Sequence, residues 1–403
     1  MGTDTKSAYL AWSLLAATTL FWGGNFVLGR AVSAEIPPIA LAWWRWVLAM
    51  ANNISAAVDC CDLAVTKEHE QQDLTVAEVY PREKGEVHTL HMQGRFDWSV
   101  VQKLAELIQR RRIDVIHTHG YKSDIIGYFA AKKAGIPCVS TPHGYPTKAG
   151  LKMSLFIKAG ILALKRFDAI APLSPELMND MQRFKVPGHK VHFIENGVDL
   201  TELEAFRKPL ESIETRALEA PHIGYVGQLI PRKGVLDMLT MFEQLSKHYP
   251  KARLTLVGDG SERSELEAYA NSLACREQIE FMGFRCDRLA LVKDFDAFCM
   301  TSSLEGIPRC LMEAMAIGTP VVAYNIPGVN ELVEEGETGL LAPLGDTARL
   351  AQQFIKLCEN PELRQHIIQT GRDRVDQRFS AQRMAREYEQ LFSQLLAGQR
   401  SAA

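Results

Sequence analysis

The 403-residue sequence has no excess of charge of either sign: 45 lysines and arginines stand against 48 aspartates and glutamates, a formal net charge of -3. That balance argues against nucleic acid as a partner, because neutralising a row of phosphates takes a concentrated basic surplus. A cysteine framework is also missing. The eight cysteines are scattered, with one adjacent pair, Cys60-Cys61, and no CxxC. This excludes a disulfide scaffold and the usual zinc spacing, and it fits reduced, intracellular usage. The disordered signature is absent too: 47% of residues are hydrophobic and 23% charged, as in a globular protein. The length suffices for two ordinary domains and an extra segment.

The opening carries a long uncharged run, 8–29. As a helix rising about 1.5 Å per residue it just crosses a bilayer core of about 30 Å. No strong basic region precedes it and no small-residue cleavage site follows, which disfavours a signal peptide. A second apolar run, 36–50, contains Arg45, and a central arginine costs roughly 2.5–3.5 kcal/mol on insertion. Phe21-Trp22-Gly23-Gly24-Asn25-Phe26 and Trp43-Trp44-Arg45-Trp46 resemble the start of drug/metabolite (EamA-type) transporters. The resemblance ends by residue 50, and a transporter needs many more spans, so transport is excluded.

From residue 52 the texture is that of a globular domain. Segments 74–80, 86–91, 114–120, 137–141, 169–173 and 191–194 read as strands, with helices at 98–111 and 123–134. After a polar stretch at 208–219 the alternation restarts. Strands are expected at 222–228, 253–257, 278–282 and 297–300, helices at 235–247 and 261–273, and mainly helices from 347 onward. Such alternation argues for parallel sheets with right-handed crossovers, two Rossmann-like halves.

The most informative stretch is 297–324. The apolar run 297–300 fits a fully buried parallel strand. Pro308 suits the first turn of a helix, Gly318 the left-handed residue past its end, and Thr319-Pro320 stops it before a new β-prone run at 321–324. Ligands bind at the carboxyl ends of such strands, where helix N-termini offer unpaired N–H groups. Glu305 in the loop and Glu313 on the helix suit a polyhydroxylated, phosphorylated ligand; a capping glutamate and a solvated helix glutamate explain the spacing equally well. Gly227-Gln228-Leu229-Ile230-Pro231-Arg232-Lys233-Gly234 places two cations in a glycine-bounded loop. They suit a leaving diphosphate, or form a solvated basic turn. Gly258 and Gly283 end strands at the same edge and permit close backbone approach, or are merely tight turns. His117 and His119 share one strand face, and with His143 suggest a metal, but no carboxylate cluster completes the site and none is expected. The stretch 148–166 is apolar with spaced cations, Lys148, Lys152, Lys158, Lys165 and Arg166, as on an anionic membrane surface or a solvated basic face.

Glu305-Gly306-Ile307-Pro308, Leu311, Glu313-Ala314-Met315-Ala316, Gly318 and Pro320-Val321-Val322 together resemble the signature of family-4 retaining glycosyltransferases. The resemblance covers roughly 70–403 and is strongest over 222–345. It implies the α/β GT-B fold: two Rossmann-like domains facing a cleft, here preceded by a transmembrane-like helix. The segments would be 1–51 (transporter fragment), 52–205 (acceptor domain), 206–380 (donor domain) and 381–403 (a helix returning to the first domain). It implies transfer of a sugar from a nucleotide-diphosphate sugar to a glycan or lipid-linked hydroxyl, with retention, in cell-envelope or exopolysaccharide synthesis. Arg232 and Lys233 would stabilise the diphosphate, Glu305 would contact the sugar or phosphate, and Glu313 the ribose. Gly227, Gly258, Gly283, Phe284, Gly306, Ile307 and Leu311 would line the donor, with Phe284 beside the base. His143 matches the family's active-site histidine, in a positioning and electrostatic role, and His117 and His119 fall on the acceptor side. No metal or other cofactor is implied. The family's opening strand and glycine-rich loop are not recognisable, so a catalytically impaired, membrane-anchored nucleotide-sugar-binding chimera is the alternative. Either form is expected on a membrane, its catalytic part on the cytoplasmic side.

Overall fold

The computed structural model describes residues 13–19, 60–67, 85–93, 97–119, 121–143, 151–209 and 217–402. The chain forms two compact units, Met1–Glu195 with Gln382–Ala403, and Asn196–Ala381.

The first unit contains strands β1 (Ser13–Thr19), β2 (Cys60–Lys67) and β3 (Val87–His91), helix α1 (Trp98–Arg111), β4 (Val115–His119), α2 (Tyr121–Ala134), β5 (Cys138–Thr141), α3 (Leu151–Leu164), β6 (Ala169–Ile170) and α4 (Pro175–Arg183). Its sheet is parallel throughout, in the order β3-β2-β1-β4-β5-β6. Every residue of β4 and β5 is buried, as expected where helices cover both faces of a parallel sheet. α1 starts where Asp97 Oδ1 accepts from Ser99 N (2.8 Å) and ends at Arg112 in the left-handed region, the two capping devices that bound a helix of this length.

Three expectations for this unit are corrected. The run expected to be a membrane helix contains β1, which sits inside the sheet with Leu14 opposite Val115 and Ser13 opposite Cys60. The opening strand is therefore present. An uncharged run satisfies a doubly covered strand as well as it satisfies a lipid-facing helix, and composition alone does not separate the two. Among the described residues no helix is long and apolar enough to cross a membrane. Gly23-Gly24, the run 36–50 and the expected strand 74–80 lie outside the described residues. At 191–194 there is only an isolated bridge between Ile170 and Val191.

The second unit begins with α5 (Leu200–Glu204) and continues β7 (His222–Val226), α6 (Val235–His248), β8 (Arg253–Val257), α7 (Arg263–Ser272), β9 (Ile279–Gly283), α8 (Arg288–Asp294), β10 (Ala297–Met300), α9 (Arg309–Ile317), β11 (Val321–Asn325), β12 (Leu340–Pro343), α10 (Thr347–Glu359) and α11 (Pro361–Arg378). The last helix, α12 (Ala381–Ala402), then joins the first unit. The second sheet is also parallel, in the order β12-β11-β10-β7-β8-β9. Its core packs Tyr225, Phe242, Phe298, Phe354 and Phe379, all fully buried. α9 ends at Gly318 (φ 93), whose N–H bonds back to the carbonyls of Ala314 and Met315, and Pro320 prevents continuation.

One buried acid in the first unit has a measurable consequence. Asp124, at 1% exposure, accepts hydrogen bonds from Thr118 Oγ1 (2.5 Å) and Ser140 Oγ (2.7 Å). Burial lifts its carboxyl to about 7 despite both bonds. A raised folded-state pKa means that the native protein holds the proton more tightly than the unfolded chain. Its contribution is complete below the ordinary value near 3.8 and is lost as pH climbs towards 7. Asp124→Asn is therefore expected to gain stability over the parent between pH 5 and pH 8, read as diverging urea midpoints at the two pH values.

Candidate active site

β7 and β10 are neighbours at the point where the strand order of the second sheet turns back, the switch point at which open α/β sheets bind ligands. Two loops leave their carboxyl ends. The first runs from Gly227 to Gly234 through a short 3-10 turn, Pro231–Lys233, and Gly234 adopts φ 60. The second is 301–308, between β10 and α9. Several hydrogen bonds fasten one loop to the other. Ser303 N donates to Arg232 O (2.8 Å), Thr301 Oγ1 to Lys233 O (3.1 Å) and Arg232 NH1 to Leu304 O (3.1 Å).

These fixings bring the expected charges together. Lys233 Nζ lies 2.5 Å from Glu305 Oε1, both side chains nearly buried, and Arg232 NH1 lies 3.6 Å from Glu305 Oε2. Arg232 is the solvent-facing member, with 41% of its side chain exposed. A buried lysine–carboxylate pair contributes little net stability, but it holds both charges in a dry, preset arrangement.

Glu313, on the second turn of α9, is also buried. Its Oε1 lies 2.7 Å from Arg288 NH2 and 3.7 Å from Arg309 NH2. Burial lowers the pKa of Arg309, against the attraction of Glu313 and of Asp199 and Glu202. Sequence reasoning missed Arg288, which stands outside every motif and 25 residues from its partner. Arg288 is followed by the apolar run Leu289–Val292, and Lys293 and Asp294 close the same helix, so its charge does not stand out locally.

The glycines form the rim. Gly227 N donates to Val257 O (3.0 Å) and Gly258 N to Gly283 O (2.8 Å), and a Cβ on Gly258 would stand 1.8 Å from Gly227 O. Phe284 follows at the end of β9, 45% exposed. Gly306 is pressed by Gly328, whose added Cβ would lie 1.7 Å from Gly306 O. Ile307 is 6% exposed and Leu311 fully buried in the core cluster, so Leu311 seats α9.

The histidines belong to the first unit. His117 is fully buried, its Nε2 2.8 Å from Thr141 Oγ1, which lies 2.8 Å from the Tyr388 hydroxyl of α12. Burial pushes it down to about 3, so it is neutral. Burial likewise holds His119 well below its usual value, with His117 and His143 adding to the shift. His119 Nδ1 lies 3.2 Å from Nε2 of the exposed His143. Among the described residues no group of three or more His, Cys, Asp or Glu is placed to hold a metal ion.

Residues 207–374 match the family Glycosyl transferases group 1, and residues 40–202 match Glycosyltransferase Family 4. The chain is a GT-B glycosyltransferase. The family-4 match begins inside the stretch read as a transporter fragment, and nothing supports that fragment. Among relatives of this glycosyltransferase, the N-acetyl-alpha-D-glucosaminyl L-malate synthase of Bacillus anthracis is 27% identical over 310 residues, covering 75% of this chain and 80% of its own. The UDP-Gal:alpha-D-GlcNAc-diphosphoundecaprenol alpha-1,3-galactosyltransferase of Escherichia coli is 27% identical over 281 residues, 66% of this chain and 72% of its own. The crystal structure of Anabaena HepE in complex with UDP shares the fold with a TM-score of 0.74 at 19% identity, covering 95% of this chain and all of HepE.

Proposed function

We propose that this glycosyltransferase moves a sugar from a nucleotide-diphosphate sugar to a hydroxyl of a glycan or lipid-linked acceptor, with retention of the anomeric configuration. The observation that carries the reading is the Lys233–Glu305 pair, buried at the β7/β10 switch point beside the half-exposed Arg232. Breaking the C1–O bond to the diphosphate develops negative charge on the leaving oxygen, and fixed cations in a dry loop stabilise it. Lys233 and Arg232 take that role, and Glu305 contacts the sugar. Glu313 accepts from the ribose hydroxyls, with the base over Phe284 and the glycine rim against the phosphates. The acceptor hydroxyl attacks C1 on the face the leaving group departs from, and its proton passes to the departing phosphate oxygen. Orientation of the two substrates supplies much of the remaining acceleration. His143 is assigned a positioning and electrostatic part, and His117 and His119 a supporting one beneath it. The names of the relatives, a UDP-Gal-dependent galactosyltransferase and a protein solved with UDP, make UDP the first nucleotide to try. A cell-envelope polysaccharide or glycolipid is the acceptor class.

Product analysis by proton NMR tests the stereochemistry. The α-linked product from an α-linked donor is expected, and a β-linked product overturns retention. Because side-chain cations carry the leaving-group charge, EDTA is expected to leave the initial rate unchanged. A large loss, restored by magnesium or manganese, contradicts that assignment.

A further inference from the structure

We propose that Arg288 is a positioning residue of the nucleotide site, holding the Glu313 carboxylate in the orientation that receives the ligand's hydroxyls. The proposal rests on the reading of Glu313 as a nucleotide contact. Arg288 is the first residue of α8, directly after the loop that leaves β9, and is 7% exposed. Its NH2 sits 2.7 Å from Glu313 Oε1, a charge-assisted hydrogen bond made out of water. Arg309 approaches the same oxygen only to 3.7 Å and also feels Asp199 and Glu202. Of the two guanidiniums, only Arg288 is within hydrogen-bonding distance. The neighbouring Arg285 is turned to solvent, in a bidentate pair with Asp287 (2.8 and 2.6 Å). The far end of α8 is tied to the residue after α9's cap, Thr319 Oγ1 donating to Val292 O (2.7 Å). The helix carrying Arg288 is thus fixed against the helix carrying Glu313 at both ends, and the β9 loop that approaches the base is coupled to the carboxylate that approaches the sugar of the nucleoside.

Titration calorimetry with UDP, GDP and ADP on the full chain tests this with Arg288→Gln, Glu313→Gln, the double variant and Arg288→Lys. Each Gln variant is expected to weaken binding of the preferred nucleotide roughly 10–100-fold, as for loss of a hydrogen bond to a charged group. The double variant is expected to bind no worse than the weaker single, since Arg288 acts through Glu313. Arg288→Lys keeps a cation and recovers part of the loss. In transfer assays KM for the donor should rise more than kcat falls. Removing both charges together spares the fold an unpaired Arg288 or Glu313 and leaves Arg309 facing Asp199 and Glu202, so the double variant remains readable if a single variant is unstable. Wild-type binding with unchanged affinity in Arg288→Gln overturns the proposal alone, as do additive losses in the double variant. No nucleotide binding by the wild type overturns it together with the reading of the site.

Discussion

Lys233→Met is expected to lower the transfer rate about 10²–10³-fold at saturating donor, the usual cost of removing one preorganised group from a developing charge. Lys233 is nearly buried and its partner is Glu305, so the substitution also leaves that carboxylate in a dry site with Arg232, at 3.6 Å, as its remaining cation. The loss costs at most the roughly 3–5 kcal/mol of a fully broken buried pair. The double variant Lys233→Met/Glu305→Gln separates the two effects. Its melting temperature should return towards that of the parent while its rate stays low. If the rate recovers with the stability, the pair is structural and the catalytic assignment of Lys233 fails. Lys233→Arg retains the charge in a different shape and should fall between the two.

Gly258→Ala is expected to destabilise the second unit by roughly 2–4 kcal/mol, adding the left-handed strain of a side chain to an overpacking cost, and to abolish nucleotide binding. Gly258 has φ 140, and its added Cβ would meet the carbonyl oxygen of Gly227 at 1.8 Å. Both partners are backbone at strand ends, tied by Gly227 N to Val257 O and Gly258 N to Gly283 O, so neither yields cheaply. Gly336 is the control. It has φ 78, yet nothing lies within 4 Å of its added Cβ, so Gly336→Ala carries strain without collision and should cost about 1–2 kcal/mol. Urea midpoints for the two variants give the collision by difference. Equal midpoints would show that the rim is not close-packed.

The site loops were legible because their chemistry is local. Gly318 and Pro320 mark the end of α9, and Arg232, Lys233 and Gly234 lie in one turn. What sequence reading missed depends on partners far along the chain. β2 was not expected, because Asp62 interrupts its apolar run. In the structure Asp62 is fully buried, accepting from Arg111 Nε (2.8 Å), the Glu86 amide (2.9 Å) and His88 Nε2 (3.1 Å). Burial pushes its carboxyl up, and those bonds, led by Arg111, more than offset that and hold it below the usual range. No window of ten residues contains those partners. Arg288 escaped for the same reason. β1 failed differently: its residues fit two environments, and only pairing with β2 and β4 decides between them.

The most direct test of the central claim is titration calorimetry of UDP, GDP and ADP against the full chain, with Glu313→Ala alongside. Micromolar binding of one nucleotide and its loss in the variant are expected, because Glu313 is buried at the switch-point edge and held there by Arg288. Binding that survives in Glu313→Ala would place the nucleotide elsewhere. Binding of none of the three would contradict the assignment of this edge as a nucleotide-sugar site.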